Sequence, residues 1–170
     1  RVGRDKAGPV TVCDLTPDMM LVGRDRAIDQ GILKGLSWTC GNAESLPFPS
    51  RSMDSYTIAF GLRNVTHIDW ALAETRRVLK PGGRFFCLEF SQVVMPILDQ
   101  IYDQYSFKIL PNMGQLVAND RESYQYLAES IRRFPPQDDL ITMMRTAGFE
   151  KCSYRNHTGG VAAIHCGWRI

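Results

Sequence analysis

The sequence holds no continuous apolar run of the roughly 18 residues that a membrane-spanning helix requires. The expectation is a chain that does not cross a bilayer as a helix, and no targeting segment is visible in it. Charge excess is also lacking, because the formal net charge is +2. Lys and Arg are scattered, with short pairs at Arg76-Arg77 and Arg132-Arg133, so no basic stripe marks a nucleic-acid groove. CxxC spacing is missing too. The five cysteines, Cys13, Cys40, Cys87, Cys152 and Cys166, are odd in number and fall inside predicted strands. They read as buried thiols of a reducing compartment rather than disulfides or a zinc site. None of the three histidines has metal-ligand spacing. What is present, 44% hydrophobic residues in 170, supports one globular domain over residues 1–170 with a substantial core.

The most specific run is RVLKPGGRFFCLEFS, Arg77 to Ser91. Ala71, Leu72, Val78 and Leu79 recur at helical spacing leading into its start. Pro81 then stops the helix and Gly82-Gly83 supply the positive φ of a tight reversal. Phe85 to Phe90 is an apolar stretch of strand length, as expected for an interior strand covered on both faces. Ligands of such sheets sit beyond the carboxyl ends of the strands, which is where Glu89, Phe90 and Ser91 fall.

Along the chain, VTVCDL (10–15) reads as a strand, and Thr16-Pro17 offers an N-cap followed by proline at the first helical position. A helix to about Gln30 follows. LSWTCG (36–41), SYTIAFG (55–61), RFFCLEFS (84–91), EKCSYRNHT (150–158) and VAAIHCGWRI (161–170) read as strands. Helices are expected over 69–79 and 136–147, the second stopped by Gly148. The alternation predicts an α/β doubly wound, mostly parallel sheet that ends in an antiparallel hairpin. The stretch Gln92 to Pro136 far exceeds the usual connection of about two to six residues in such folds. It is expected to form a helical cap.

The Arg77–Ser91 run resembles a signature of the ubiquinone/menaquinone biosynthesis C-methyltransferases. So do GNAESLPFPS (41–50), YTIAFGLRNVTHID (56–69), SYQYLAESIRRFP (123–135) and GVAAIHCGWRI (160–170), in the family's order and closest to the wording of its mitochondrial ubiquinone branch. The resemblance implies a class I methyltransferase, Rossmann-like fold with S-adenosylmethionine as cofactor. It implies C-methylation of a polyprenylated methoxy-benzoquinol, peripheral contact with the matrix side of the mitochondrial inner membrane, other ubiquinone-biosynthesis proteins as partners and a homodimer as one assembly state. The family's first strand and its glycine-rich loop have no counterpart here. The strand at 10–15 matches the family's second, so the chain is expected to be a fragment of a longer protein, the alternative being that the strands at 10–15 and 55–61 pair directly. A noncatalytic pseudoenzyme or scaffold subunit is the competing function.

For the cofactor, Asp14 ends a strand before a helix, where a carboxylate accepts two ribose hydroxyls. An acid there also closes an Asx turn, and the resemblance favours ribose. Met19 fits the adenine face or ordinary core, and Asn42 with Ala43 fits the adenine edge. By resemblance, Ala59 and Gly61 are expected to bring backbone close to the sulfonium. By resemblance, Arg63 and Asn64 face the quinol, Arg63 stabilising a phenolate and Asn64 orienting a hydroxyl. Arginine stays protonated and is a poor base. Among the histidines, His165 reads as core and His157 as a hairpin end. His67, four residues beyond Arg63, is the one placed to approach a pocket. The cap offers an apolar and aromatic surface that includes Tyr102, Phe107, Tyr126, Leu127 and Ile131, with Tyr105, Tyr124 and Arg132 as candidates for the polar rim of a polyprenyl site.

Overall fold

The computed structural model describes residues 8–91 and 121–170, which fall into two compact units, one ending at Pro47 and the other beginning at Phe48. In the first unit, β1 (Val10–Asp14) leads through α1 (Pro17–Asp29) into β2 (Leu36–Cys40). The two strands are parallel, in register from Val10 opposite Leu36 to Asp14 opposite Cys40. Proline at the first turn of α1 costs no hydrogen bond, because that N–H has no helical partner anyway. A methyl group at Gly23 would come within 3.0 Å of the Trp38 ring, so glycine is what lets α1 approach β2. No residue of α1 is buried, and Met19, Leu21 and Val22 lie on its exposed surface. Among the described residues β1 is laddered only to β2.

The second unit is built on a four-stranded sheet in the order β3 (Met53–Ala59), β4 (Leu79–Phe90), β6 (Ala162–Trp168), β5 (Glu150–His157). β3 and β4 are parallel, whereas β6 is antiparallel to both β4 and β5. Strands β3, β4 and β5 therefore all run one way, and the closing hairpin inserts its second strand against them. A 3-10 turn (Leu62–Asn64) follows β3, then α2 (Ile68–Val78); α3 (Arg121–Arg133) and α4 (Gln137–Thr146) precede β5. Ala71, Leu72, Thr75 and Val78 form the buried stripe of α2, and Gln137, Leu140, Ile141 and Met144 that of α4. Both stripes meet a core in which Phe85 stacks on Phe149 at 5.4 Å between ring centroids. Gly148, at φ +89, ends α4 as expected.

Three expectations change. The ladder of β4 starts at Leu79, opposite Met53, and resumes at Arg84, opposite Ser55. Pro81-Gly82-Gly83 is thus an irregularity inside the strand's span rather than a turn ahead of it, with Gly82 at φ +82. Of the cysteines, Cys87 alone is buried; Cys40 is exposed and the other three are half-buried. Their strands leave one face or one edge open to water, so strand position did not imply burial. As for the cap, residues 92–120, with Tyr102, Tyr105 and Phe107, lie outside the described residues, while 121–133 form α3.

Burial in β4 alternates. Phe85, Cys87 and Glu89 are buried while Phe86, Leu88 and Phe90 are partly covered. The period-2 pattern places the carboxylate of Glu89 on the core face, fully buried. A charge there requires a partner.

Candidate functional site

In the first unit, Asp14 and Asn42 sit at and just past the carboxyl ends of β1 and β2. Each spends one side-chain oxygen on its own turn. Asp14 Oδ1 accepts the Thr16 N–H at 2.8 Å, and Asn42 Oδ1 accepts the Glu44 N–H at 2.9 Å. Both are Asx turns, and both residues are exposed. The turn fixes each side chain and leaves its second arm without a protein partner among the described residues: a carboxylate oxygen on Asp14, an amide on Asn42. Ala43 is half-buried, and Met19 is 61% exposed on α1. The Asx-turn and ligand readings of Asp14 are thus compatible, because a carboxylate has acceptors for both.

In the second unit, the segment after β3 turns sharply. Phe60 has φ +55, an uncommon conformation for an aromatic residue and one that costs on the order of 1–3 kcal/mol. Its ring packs on Phe90 at 4.7 Å. Gly61 follows at a normal φ, with a would-be Cβ 3.3 Å from Ile58. The strained position is therefore Phe60 rather than the glycine. Leu62, buried, anchors the 3-10 turn, and Ala59 is exposed at the strand end.

The guanidinium of Arg63 turns inward. Its Nη1 lies 2.8 Å from Glu89 Oε1 and also donates to the Phe60 carbonyl. The Arg63 backbone N–H donates to Glu89 Oε2 at 3.2 Å, and the Phe90 N–H donates to Glu89 Oε1 at 2.9 Å. The two side chains are 11% and 0% exposed. The guanidinium also lies over the Phe90 ring, 5.3 Å from its centroid. Its Nε is buried with no hydrogen-bond partner, a kind of unsatisfied donor that native folds seldom leave.

Asn64 is exposed beside it, and its Oδ1 accepts the Tyr126 hydroxyl of α3 at 3.2 Å. Tyr124 is on α3, Arg132 is exposed in its last turn, and Tyr105 lies outside the described residues. His67 is the N-cap residue of α2, its ring 4.3 Å from Trp70. His165 is buried, Nε2 3.3 Å from the Gln137 carbonyl. Two residues gain weight over the sequence reading. Glu89 could be found from its core-face parity on β4, and Tyr126 from its place in the aromatic cap surface.

Residues 3–169 match the model of the ubiE/COQ5 methyltransferase family. The chain is 55% identical over 161 residues to the ubiquinone/menaquinone biosynthesis C-methyltransferase UbiE of Brucella canis, covering 95% of this chain and 60% of that protein. The UbiE of Brucella anthropi gives the same identity, with 61% of that protein covered. The chain thus spans about 60% of the length of these curated relatives. Among solved structures, a SAM-dependent methyltransferase of Thermotoga maritima superposes with a TM-score of 0.66 at 19% identity, over 94% of this chain and 72% of that one. The [4+2]-cyclase SpnF superposes with the same score at 22% identity, over 94% and 49%. The likeness to structures at such identities is one of fold, the class I S-adenosylmethionine-dependent methyltransferase fold, which hosts more than one chemistry.

Proposed function

Because the chain belongs to the ubiE/COQ5 methyltransferase family, we propose that it serves S-adenosylmethionine-dependent C-methylation of a polyprenylated methoxy-benzoquinol in ubiquinone biosynthesis. The names of the bacterial relatives cover ubiquinone and menaquinone alike and support the coarser statement of a quinone-pathway acceptor. The wording of the chain's own family segments favours the ubiquinone branch, and with it the matrix side of the mitochondrial inner membrane. No helix among the described residues is long and apolar enough to cross a membrane; in this reading a membrane-resident acceptor is met by peripheral contact.

The observation that carries the chemical reading is the buried, unpartnered Nε of Arg63. Glu89 fixes the guanidinium through Nη1, and Nε on its opposite edge has no protein hydrogen-bond partner. A ring carbon of a neutral hydroquinone is a modest nucleophile, and its phenolate is a much better one. Arg63 holds the phenolate oxygen with a charge-assisted hydrogen bond already in place before reaction. Asn64, steadied by Tyr126, orients the neighbouring hydroxyl. In the first unit, Asp14 and Asn42 keep a free carboxylate oxygen and a free amide, the acceptor and donor that a ribose and an adenine require, so these residues fit the cofactor. S-adenosylmethionine, when bound, supplies an electrophilic methyl group.

The test is turnover of a short-chain quinol analogue, with cofactor affinity measured in parallel, for wild type and Arg63→Lys in a full-length protein that carries the family's first strand and glycine-rich loop. Lysine keeps a charge for Glu89 but loses the planar fork. Turnover should fall about a hundredfold, the scale of one preorganised donor, with cofactor affinity unchanged. Wild-type turnover in the lysine variant would refute the assignment, and equal loss of turnover and cofactor binding would make Arg63 a structural residue.

A further inference from the structure

Arginines distant in sequence converge in the second unit. Arg51 from the loop before β3, Arg76 and Arg77 from the last turn of α2, and Arg169 from just after β6 line an open cavity of about 500 Å³. The other lining side chains, Ser50, Ala73 and Ala147, are small and leave the space unfilled. The walls are held in place. Arg76 Nε donates to the Gly148 carbonyl at 2.9 Å, and a Cβ at Gly148 would fall 2.7 Å from that nitrogen. Arg169 Nη1 donates to the carbonyls of Arg76, Arg77 and Leu79, the latter two at 3.0 and 2.8 Å.

The charges do not cancel. Glu74 pairs with Arg77 at 2.6 Å. The contacts made by Arg76 and Arg169 are to carbonyls, which satisfy N–H groups without neutralising a cation. The bland account is that arginines here complement the carboxyl ends of α2 and α4. Each helix end carries roughly half a negative charge, so two of them offset about one of the three cations Arg51, Arg76 and Arg169. Among the residues that line the cavity, about two positive charges are left. Consistent with that surplus, the Arg169 guanidinium is pushed below its ordinary pKa by burial and by the neighbouring Arg76 and Arg51.

We propose that this arginine-lined cavity is a binding site for a phosphate group. A phosphate monoester carries nearly two negative charges and presents several acceptor oxygens, which matches both the surplus charge and the forked donors. The cavity lies at the amino end of β4, beside Leu79, whereas Glu89 and Arg63 lie at its carboxyl end. From Arg84 to Glu89 alone the strand runs on the order of 17 Å. A bound phosphate therefore leaves the methyl-transfer residues free, and the site is independent of the function proposed above.

The test uses inorganic phosphate as probe, by titration calorimetry on the full chain, against Arg51→Gln and Arg51→Gln/Arg76→Gln. Arg51 is exposed and its side chain makes no described hydrogen bond or ion pair, and glutamine at 76 retains an N–H donor for the Gly148 carbonyl, so melting temperatures without phosphate should stay near wild type. Phosphate should bind wild type, more tightly at low salt, with affinity at least about tenfold weaker in the double variant. Should the double variant fail to fold, the single Arg51→Gln must still weaken binding. A second arm measures retention on phosphatidylcholine vesicles with and without phosphatidic acid. Retention that depends on phosphatidic acid and is reversed by phosphate assigns a lipid headgroup; phosphate binding without retention assigns a soluble phosphate. Equal affinity in wild type and variants, or no binding in either arm, overturns the proposal.

Discussion

Glu89 holds Arg63 at two points: Oε1 lies 2.8 Å from Nη1 of the guanidinium, and Oε2 accepts the backbone N–H of the same residue at 3.2 Å. One carboxylate thus fixes both the side chain and the turn that carries it. The first prediction follows from its complete burial. Arg63→Ala strands an unpaired carboxylate in the core and should destabilise the fold by about 3–5 kcal/mol. A paired apolar replacement, Arg63→Met with Glu89→Leu, should recover most of that loss while leaving turnover abolished. Urea denaturation of the three proteins is the check, and an alanine variant as stable as wild type would contradict it.

The second prediction concerns the free arm of Asp14. In a full-length protein that carries the family's first strand and glycine-rich loop, Asp14→Ala should weaken S-adenosylmethionine binding by on the order of 2 kcal/mol, the scale of losing charge-assisted hydrogen bonds. Asp14→Asn keeps an oxygen for the Thr16 N–H and so preserves the turn. Its affinity should fall between those of wild type and alanine. If asparagine binds as wild type does, the carboxylate charge is irrelevant and the residue serves the turn alone.

A third expectation is a pH dependence of stability. The His165 imidazole is pushed below its ordinary pKa by burial, against the smaller opposing pull of the Gln137 carbonyl and Asp138. Tyr154 packs beside it at 5.4 Å. The unfolded chain therefore takes up a proton at a higher pH than the folded one. Its contribution to stability is complete above about pH 6.5 and is lost as pH falls from there through the folded value. Thermal melts from about pH 7 to 5 should decline more steeply for wild type than for His165→Gln. Parallel curves would remove His165 as the source.

The fourth prediction orders the thiols. Burial and the nearby Glu89 push the Cys87 thiol up to about 12, and the side chain is fully covered. Iodoacetamide at neutral pH should label exposed Cys40 first and leave Cys87 unlabelled until the protein unfolds. Mass spectrometry of the folded, labelled protein decides it.

Much of the fold was legible because its signals are local. Pro17 opened a helix, although Thr16 ahead of it makes no side-chain capping bond; Gly148 ended one, and the apolar spacing of Ala71, Leu72 and Val78 marked a buried stripe, each within a turn or two of chain. Where a signal depended on the second face of a strand, it failed. Cys40 and Cys87 look alike in sequence, yet one is open to water and the other sits in the core. The Pro81-Gly82-Gly83 run named a reversal but not that strand pairing had already begun before it.

By itself, then, the sequence determined the order of strands and helices, the family segments, and the placing of Asp14, Asn42 and Arg63 at strand ends. These follow from periodicity, turn chemistry and motif, all properties of neighbouring residues. Tertiary structure alone decided that Arg63 is gripped by Glu89, that Tyr126 reaches Asn64, and that Arg51, Arg76, Arg77 and Arg169 share one cavity. Those partners are separated by tens of residues along the chain. Only sheet register and helix packing determine which distant side chains meet, and a buried charge or a shared cavity exists only once they have met.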